Sequence, residues 1–158
     1  MITIYNDPTM LDFVRVCLQM PQDERDQIQA FTGVPYDVDN TAINNFLAAG
    51  PKIVLKVGDD PICIGGFIQQ RPGVYRDFMI NTPASFSQKH WFEVTRISRR
   101  FMDHVLHNGA HRVECICLAS REARNSRWYK VLGYNREATL YGYCASGADA
   151  VLFSRVRH

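Results

Sequence analysis

The stretch RVECICLASREARNSRWYKVLGY, Arg112 to Tyr134, reads as a strand that feeds directly into a helix. Across Arg112–Leu118, Cys115 and Cys117 alternate with Glu114, Ile116 and Leu118, a period-two pattern that puts both sulfurs on one face of a pleated strand. From Arg121 to Leu132 the chain reads as a helix, with Glu122 near the end where a carboxylate complements the helix dipole. Gly133 then offers the left-handed residue on which helices commonly end.

Working outward, Asn135–Cys144 and Asp149–Val156 read as strands joined by Ala145-Ser146-Gly147-Ala148, a closing hairpin. Upstream, Phe86, Val94, Ile97, Phe101 and Val105 recur mostly at threes and fours, predicting a long amphipathic helix that ends near Asn108-Gly109. Ser85 and Gln88 have the spacing of a capping box at its start. Before it, Lys52–Val57, Ile62–Gln70 and Val74–Asn81 read as three strands of an antiparallel meander, separated by Gly58-Asp59-Asp60-Pro61 and Arg71-Pro72-Gly73. The N-terminal part begins with a strand at Ile2–Tyr5. Three helical stretches follow: one carrying Met10, Phe13, Val14 and Cys17, one from Pro21 to about Phe31, and one from Asn40 to Ala49.

The totals bound the function. A chain of 158 residues with 46% hydrophobic and 22% charged content fits one soluble α/β domain over residues 1–158. No apolar run approaches the ~20 residues that cross a bilayer, and Met1-Ile2-Thr3-Ile4-Tyr5 lacks the features of a secretory signal, so a cytoplasmic location is expected. A net charge of +2 is too small to point to nucleic acid, although Arg96, Arg99 and Arg100, or Arg121, Arg124 and Arg127, form clusters. Each cluster suits a phosphorylated ligand or a solvated helix face. Cys17, Cys63, Cys115, Cys117 and Cys144 are odd in number and scattered, which argues against disulfides or zinc and for buried packing. His104, His107 and His111 suit the negative end of the long helix, and no metal is expected.

The order of elements, together with Trp128-Tyr129-Lys130-Val131-Leu132-Gly133-Tyr134, resembles the GNAT N-acetyltransferase superfamily. The heptapeptide matches the aromatic-Tyr-x-x-Leu-Gly-Phe/Tyr sequence that ends the fourth helix of many members. The resemblance covers nearly the whole chain. It implies a mixed, mostly antiparallel sheet with helices on both faces, whose fourth and fifth strands splay to admit acetyl-CoA. Backbone groups at Met79, Ile80 and Asn81 would then meet the thioester arm, and the helix start with Thr82, Ser85 and Ser87 would meet the pyrophosphate. Tyr129 falls where the family's hydroxyl protonates the departing thiolate, a proton source of suitable basicity. It also fits plain core packing.

Two departures from the family pattern stand out. The phosphate loop usually carries glycines, whereas Asn81-Thr82-Pro83-Ala84-Ser85-Phe86-Ser87-Gln88 has none, and Pro83 lacks an N–H. Glu122 occupies the place of an Asn that contacts the pantetheine arm. Candidate bases for the acceptor amine are Asp77, Glu114 and Glu93. The resemblance thus implies acetyl transfer to an amine of a protein or small molecule. A non-catalytic interaction or structural module is the alternative, since the glycine-less loop and the stretch from Asp77 to Glu137 also resemble small GNAT-like proteins of short-tailed phages, some of them virion components and some acting on host proteins.

Overall fold

The computed structural model describes residues 1–157. Strands β1 (Thr3–Tyr5), β2 (Lys52–Val57), β3 (Asp60–Arg71), β4 (Val74–Asn81), β5 (Arg112–Leu118), β6 (Asn135–Leu140) and β7 (Ala150–Val156) form one seven-stranded sheet in the order β1-β2-β3-β4-β5-β7-β6. All neighbours run antiparallel except β4 and β5, which are parallel. The helices are α1 (Met10–Leu18), α2 (Gln22–Thr32), α3 (Val38–Leu47), α4 (Gln88–His107) and α5 (Glu122–Leu132).

Helices cover both faces. On one, Phe13, Val16 and Cys17 of α1 and Ala42 of α3 pack on Val54, Ile64 and Ile80 of the sheet. On the other, Val94 and Ile97 of α4 cover Ile53, Leu55 and Cys63, while Met102 of α4 and Tyr129 and Leu132 of α5 cover Cys115, Cys117 and Phe153. The alternation along β5 therefore has the packing meaning that its period suggests: Cys115 and Cys117 are buried small hydrophobes. All five cysteines are free and buried, and burial pushes the Cys117 thiol up to about 11, away from thiolate reactivity.

Two local expectations change. The capping box lies at α1, where the Thr9 hydroxyl accepts the Asp12 N–H at 3.2 Å and the Asp12 carboxylate accepts the Thr9 N–H at 2.9 Å. At α4 the residue flanking the helix is Ser87, and Ser85 sits one turn earlier in a 3₁₀ turn over Pro83–Phe86. Finally, β6 stops at Leu140, not Cys144, because residues 141–149 close on themselves and on α2. Gly142 (φ 58°) donates its N–H to Asp149 at 2.7 Å, and the Ala145 and Ser146 N–H groups reach the carbonyls of Phe31 and Ala30. Those donors are then unavailable to extend a ladder.

Among the described residues no helix is long and apolar enough to cross a membrane. Leu132 is 1% exposed at the junction of α5 with β5 and β7, so Leu132→Ala leaves a cavity in the larger core. Chemical denaturation is expected to report a loss of about 2–5 kcal/mol. A loss below about 1 kcal/mol would show that α5 is not part of that core.

Candidate active site

Pairing between β4 and β5 is confined to Val74–Arg112, Tyr75–Val113 and Arg76–Glu114. Beyond those pairs β4 stays bonded to β3 up to Asn81, and β5 stays bonded to β7 up to Leu118, so the two strands part. The Thr82 N–H donates to the Ile62 carbonyl at 3.0 Å, which fixes the bonding direction on β4. Because that direction alternates, Phe78 and Ile80 also turn their backbone groups to β3, while Met79 and Asn81 turn theirs toward the gap. The backbone groups of Met79 and Asn81 thus face the gap. Ile80 does not: its backbone is taken by β3 and its side chain sits in the core with Phe13 and Ile64.

A cavity of about 400 Å³ fills the gap and passes through the sheet. Its polar mouth on the α2 side includes Glu24, Gln27, Asn45 and Arg124; toward α5 it meets Asp77, Cys115, Asn125 and Tyr129.

The turn at the start of α4 is largely self-satisfied. The Thr82 hydroxyl donates to the Ile62 carbonyl at 3.0 Å, and the Ser85 hydroxyl lies 2.8 Å from the Thr82 carbonyl and 3.1 Å from Asn81 Oδ1. All three residues are buried. Their side chains close the turn, so the Thr82 and Ser85 hydroxyls that the sequence offers to an anion are engaged by the Ile62 and Thr82 carbonyls and by Asn81. Ser87 remains at the helix edge, its hydroxyl 3.1 Å from His90 Nδ1. The His90 and Trp91 N–H groups use the Ser87 carbonyl, leaving those of Gln88 and Lys89 without a backbone acceptor among the described residues. No acidic residue occupies this first turn, so its dipole end is uncompensated. Beside it, Phe86, Trp91, Trp128 and Tyr129 form a continuous aromatic wall with ring centroids 5.2, 5.2 and 5.7 Å apart.

Tyr129 is 7% exposed, and burial, with the Cys115 thiol next to it, holds its hydroxyl protonated well above the usual phenol range. Asn125, one helical turn earlier, approaches that hydroxyl at 3.4 Å. Burial pushes the Asp77 carboxyl up to about 6, against the opposing effect of the Tyr134 hydroxyl, which donates to it at 2.5 Å. Asp77 and Tyr129 line the same cavity. The other candidate bases are engaged elsewhere: Glu114 holds Arg112 at 2.8 Å and Arg76 at 3.4 Å, and Glu93 lies 4.0 Å from Arg96. Glu122, the position matched to the pantetheine arm, accepts from Arg136 at 2.5 Å, which holds its carboxylate in an ion pair at the helix start.

The second arginine cluster also finds a role. Arg121 meets Glu24 at 2.8 Å and Asp23 at 3.4 Å, and Arg124 also pairs with Asp23. With Gln27 accepting the Leu118 N–H at 3.4 Å, these contacts strap α2 to the start of α5 across the opening. Asn125 and Trp91 are not singled out by the sequence: the only local signal for Asn125 is its one-turn spacing from Tyr129, and Trp91 meets Phe86 and Trp128 only in the folded chain. Among the described residues no cluster of three or more His, Cys, Asp and Glu could hold a metal.

No family model and no curated protein matches the chain at the level of sequence. Solved structures do match it. A ribosomal-protein-alanine N-acetyltransferase from Brucella melitensis superposes with a TM-score of 0.74 at 11% identity, covering 98% of this chain and 99% of that one. An acetyltransferase of the GNAT family from Bacillus anthracis gives 0.73 at 13% identity, covering 98% and 94%. A putative acetyltransferase from Salmonella typhimurium, solved with its cofactor acetyl-CoA, gives 0.69 at 14% identity, covering 98% and 93%. The parted strands, the motif that ends α5 and these superpositions together establish that this chain has the GNAT acetyltransferase fold.

Proposed function

We propose that the protein transfers an acyl group, acetyl in the simplest case, from coenzyme A to an amine. The observation that carries this reading is the gap between β4 and β5, where the backbone groups of Met79 and Asn81 face a cavity that also meets Asp77 and Tyr129. Unpaired strand edges are strong hydrogen-bonding groups, and an amide-bearing arm such as pantetheine satisfies them. The free Gln88 and Lys89 amides, with the adjacent Ser87 hydroxyl and the positive end of the α4 dipole, suit the pyrophosphate. These groups fit the cofactor even without a glycine-rich loop.

The thioester supplies an activated acyl carbon; the chain supplies the proton handling. Asp77, titrating near 6, is ionised at neutral pH and accepts the proton of the acceptor ammonium, making its nitrogen nucleophilic. Tyr129, kept protonated by burial, gives its proton to the departing sulfur. The α2 strap and its acidic residues border the mouth through which the amine enters.

The self-satisfied Thr82–Ser85 turn is the one observation that favours a non-catalytic binding module. Cofactor binding separates the two readings. Acetyl-CoA at 100 times its dissociation constant is expected to stabilise the fold by about 2.7 kcal/mol, read as a thermal shift. No shift at millimolar cofactor favours the non-catalytic module.

If turnover is found, Tyr129→Phe is expected to lower kcat about 10²-fold or more with little change in cofactor affinity. Unaltered kcat removes Tyr129 from the chemistry.

The rate is also expected to fall below pH about 6 as Asp77 takes up a proton and ceases to be a base. In Asp77→Asn that limb should vanish along with most of the rate, and a limb that persists in the variant assigns the base elsewhere.

A further inference from the structure

The cavity does not end at the gap between β4 and β5. A second arm runs under α4, bordered by Met79, Gly65 and Ile53 below and by Ser98, Phe101 and Met102 above. Gly65 stands opposite Met79 on β4 and Ile53 on β2, so the three positions form a row across three strands on the face that α4 covers. The middle position of that row has no side chain.

Neither backbone conformation nor crowding accounts for this glycine. Gly65 is not among the positive-φ glycines. A Cβ built on it would have only the Phe78 carbonyl oxygen within 4 Å, at 3.8 Å, an ordinary contact. Its neighbour Gly66 is different, because a Cβ there would run into the Phe78 ring at 2.5 Å. Gly66 is thus required by close packing, whereas Gly65 leaves open space beneath a helix. Protein interiors contain few voids larger than a water molecule, and an apolar one that persists favours an apolar guest.

The two arms differ in character. The arm toward α2 has Glu24, Gln27 and Asn45 at its edge and suits a polar acceptor. The arm under α4 continues over Leu55, Cys63 and Phe67, all of them buried, and the one charged lining residue beside it is Asp77, opposite Phe67 at its gap end. Gly65 lies one strand beyond Met79, about 5 Å farther from the gap, so a two-carbon acyl group at the gap leaves this arm empty.

We propose that the arm over Gly65 is an acyl pocket and that the preferred donor is the coenzyme A thioester of a medium-length aliphatic acid. The assignment rests on the coenzyme A reading above. The transfer itself is unchanged: Asp77 takes one proton from the ammonium, the amine nitrogen bonds to the acyl carbon, the carbon–sulfur bond breaks as the sulfur takes the Tyr129 proton, and the second nitrogen proton restores the Tyr129 hydroxyl as the amide forms. The longer chain adds burial of apolar surface under Phe101 and Met102, and each methylene taken in tightens binding roughly fourfold.

Calorimetry with acetyl-CoA and octanoyl-CoA tests this on the full chain. Octanoyl-CoA is expected to bind at least tenfold more tightly than acetyl-CoA. Gly65→Val, which fills the row, is expected to reduce that ratio at least tenfold, and Gly65→Ala to reduce it in part. A cooperative melt of each variant reports its folding, and the alanine variant carries the test if the valine variant does not fold. Equal affinities, or a preference that survives both substitutions, overturn the acyl pocket and leave the coenzyme A reading intact. If neither thioester binds, both fall.

Discussion

Three residue pairs, Val74–Arg112 to Arg76–Glu114, make up the ladder between β4 and β5 among the described residues, and the character of the molecule depends on its ending there. Each strand is fully committed on its outer side, β4 to β3 and β5 to β7, so neither frays when the parallel ladder stops. At the point of parting Arg76 and Arg112 converge on the buried Glu114, and Arg112 also takes Glu137 in a two-pronged contact. Together these charges clamp the base of the gap. Beyond it, inward-facing backbone groups have no partner in the sheet, and a ligand with amides can supply one.

The gap is also bounded from above and below. On one side α2, which contributes no fully buried residue, is held over the opening by Arg121 and Arg124 and by the loop at residues 141–149. On the other, α4 and α5 lean together through Trp91 and Trp128, with the Trp128 indole N–H donating to Thr95 at 3.2 Å. The polar strap and the aromatic wall give the two mouths different chemistry: one is lined by charged and amide side chains, the other by rings. Burial supplies the protonation states, since the same low-polarity surroundings that hold Tyr129 protonated raise Asp77 toward neutrality.

Much of this was legible in the sequence because it is local. Strand and helix periods, the Gly133 cap and the motif around Tyr129 place every major element, and Gly133 does adopt φ 92° at the end of α5. What was not legible depends on residues distant in the chain. The Thr82 hydroxyl turns inward because the Ile62 carbonyl waits there, and no pattern within Thr82–Gln88 carries that information. Arg121 and Arg124 look like a solvated or phosphate-binding face until α2, nearly a hundred residues earlier, brings Asp23 and Glu24 beside them. Glu122 likewise meets Arg136 only once β6 has folded back along the sheet. Gly65 interrupts a strand in sequence; only α4 overhead gives that interruption a volume.

Amide hydrogen exchange measures directly whether the backbone of β4 past Arg76 acts as a binding edge. In the free protein the Ile80 N–H is expected to be protected by β3, while those of Met79 and Asn81 exchange faster. Saturating acetyl-CoA should slow exchange at Met79 and Asn81 at least tenfold and leave the order of the other strands unaltered. Unchanged exchange at both positions with the cofactor bound would contradict the account.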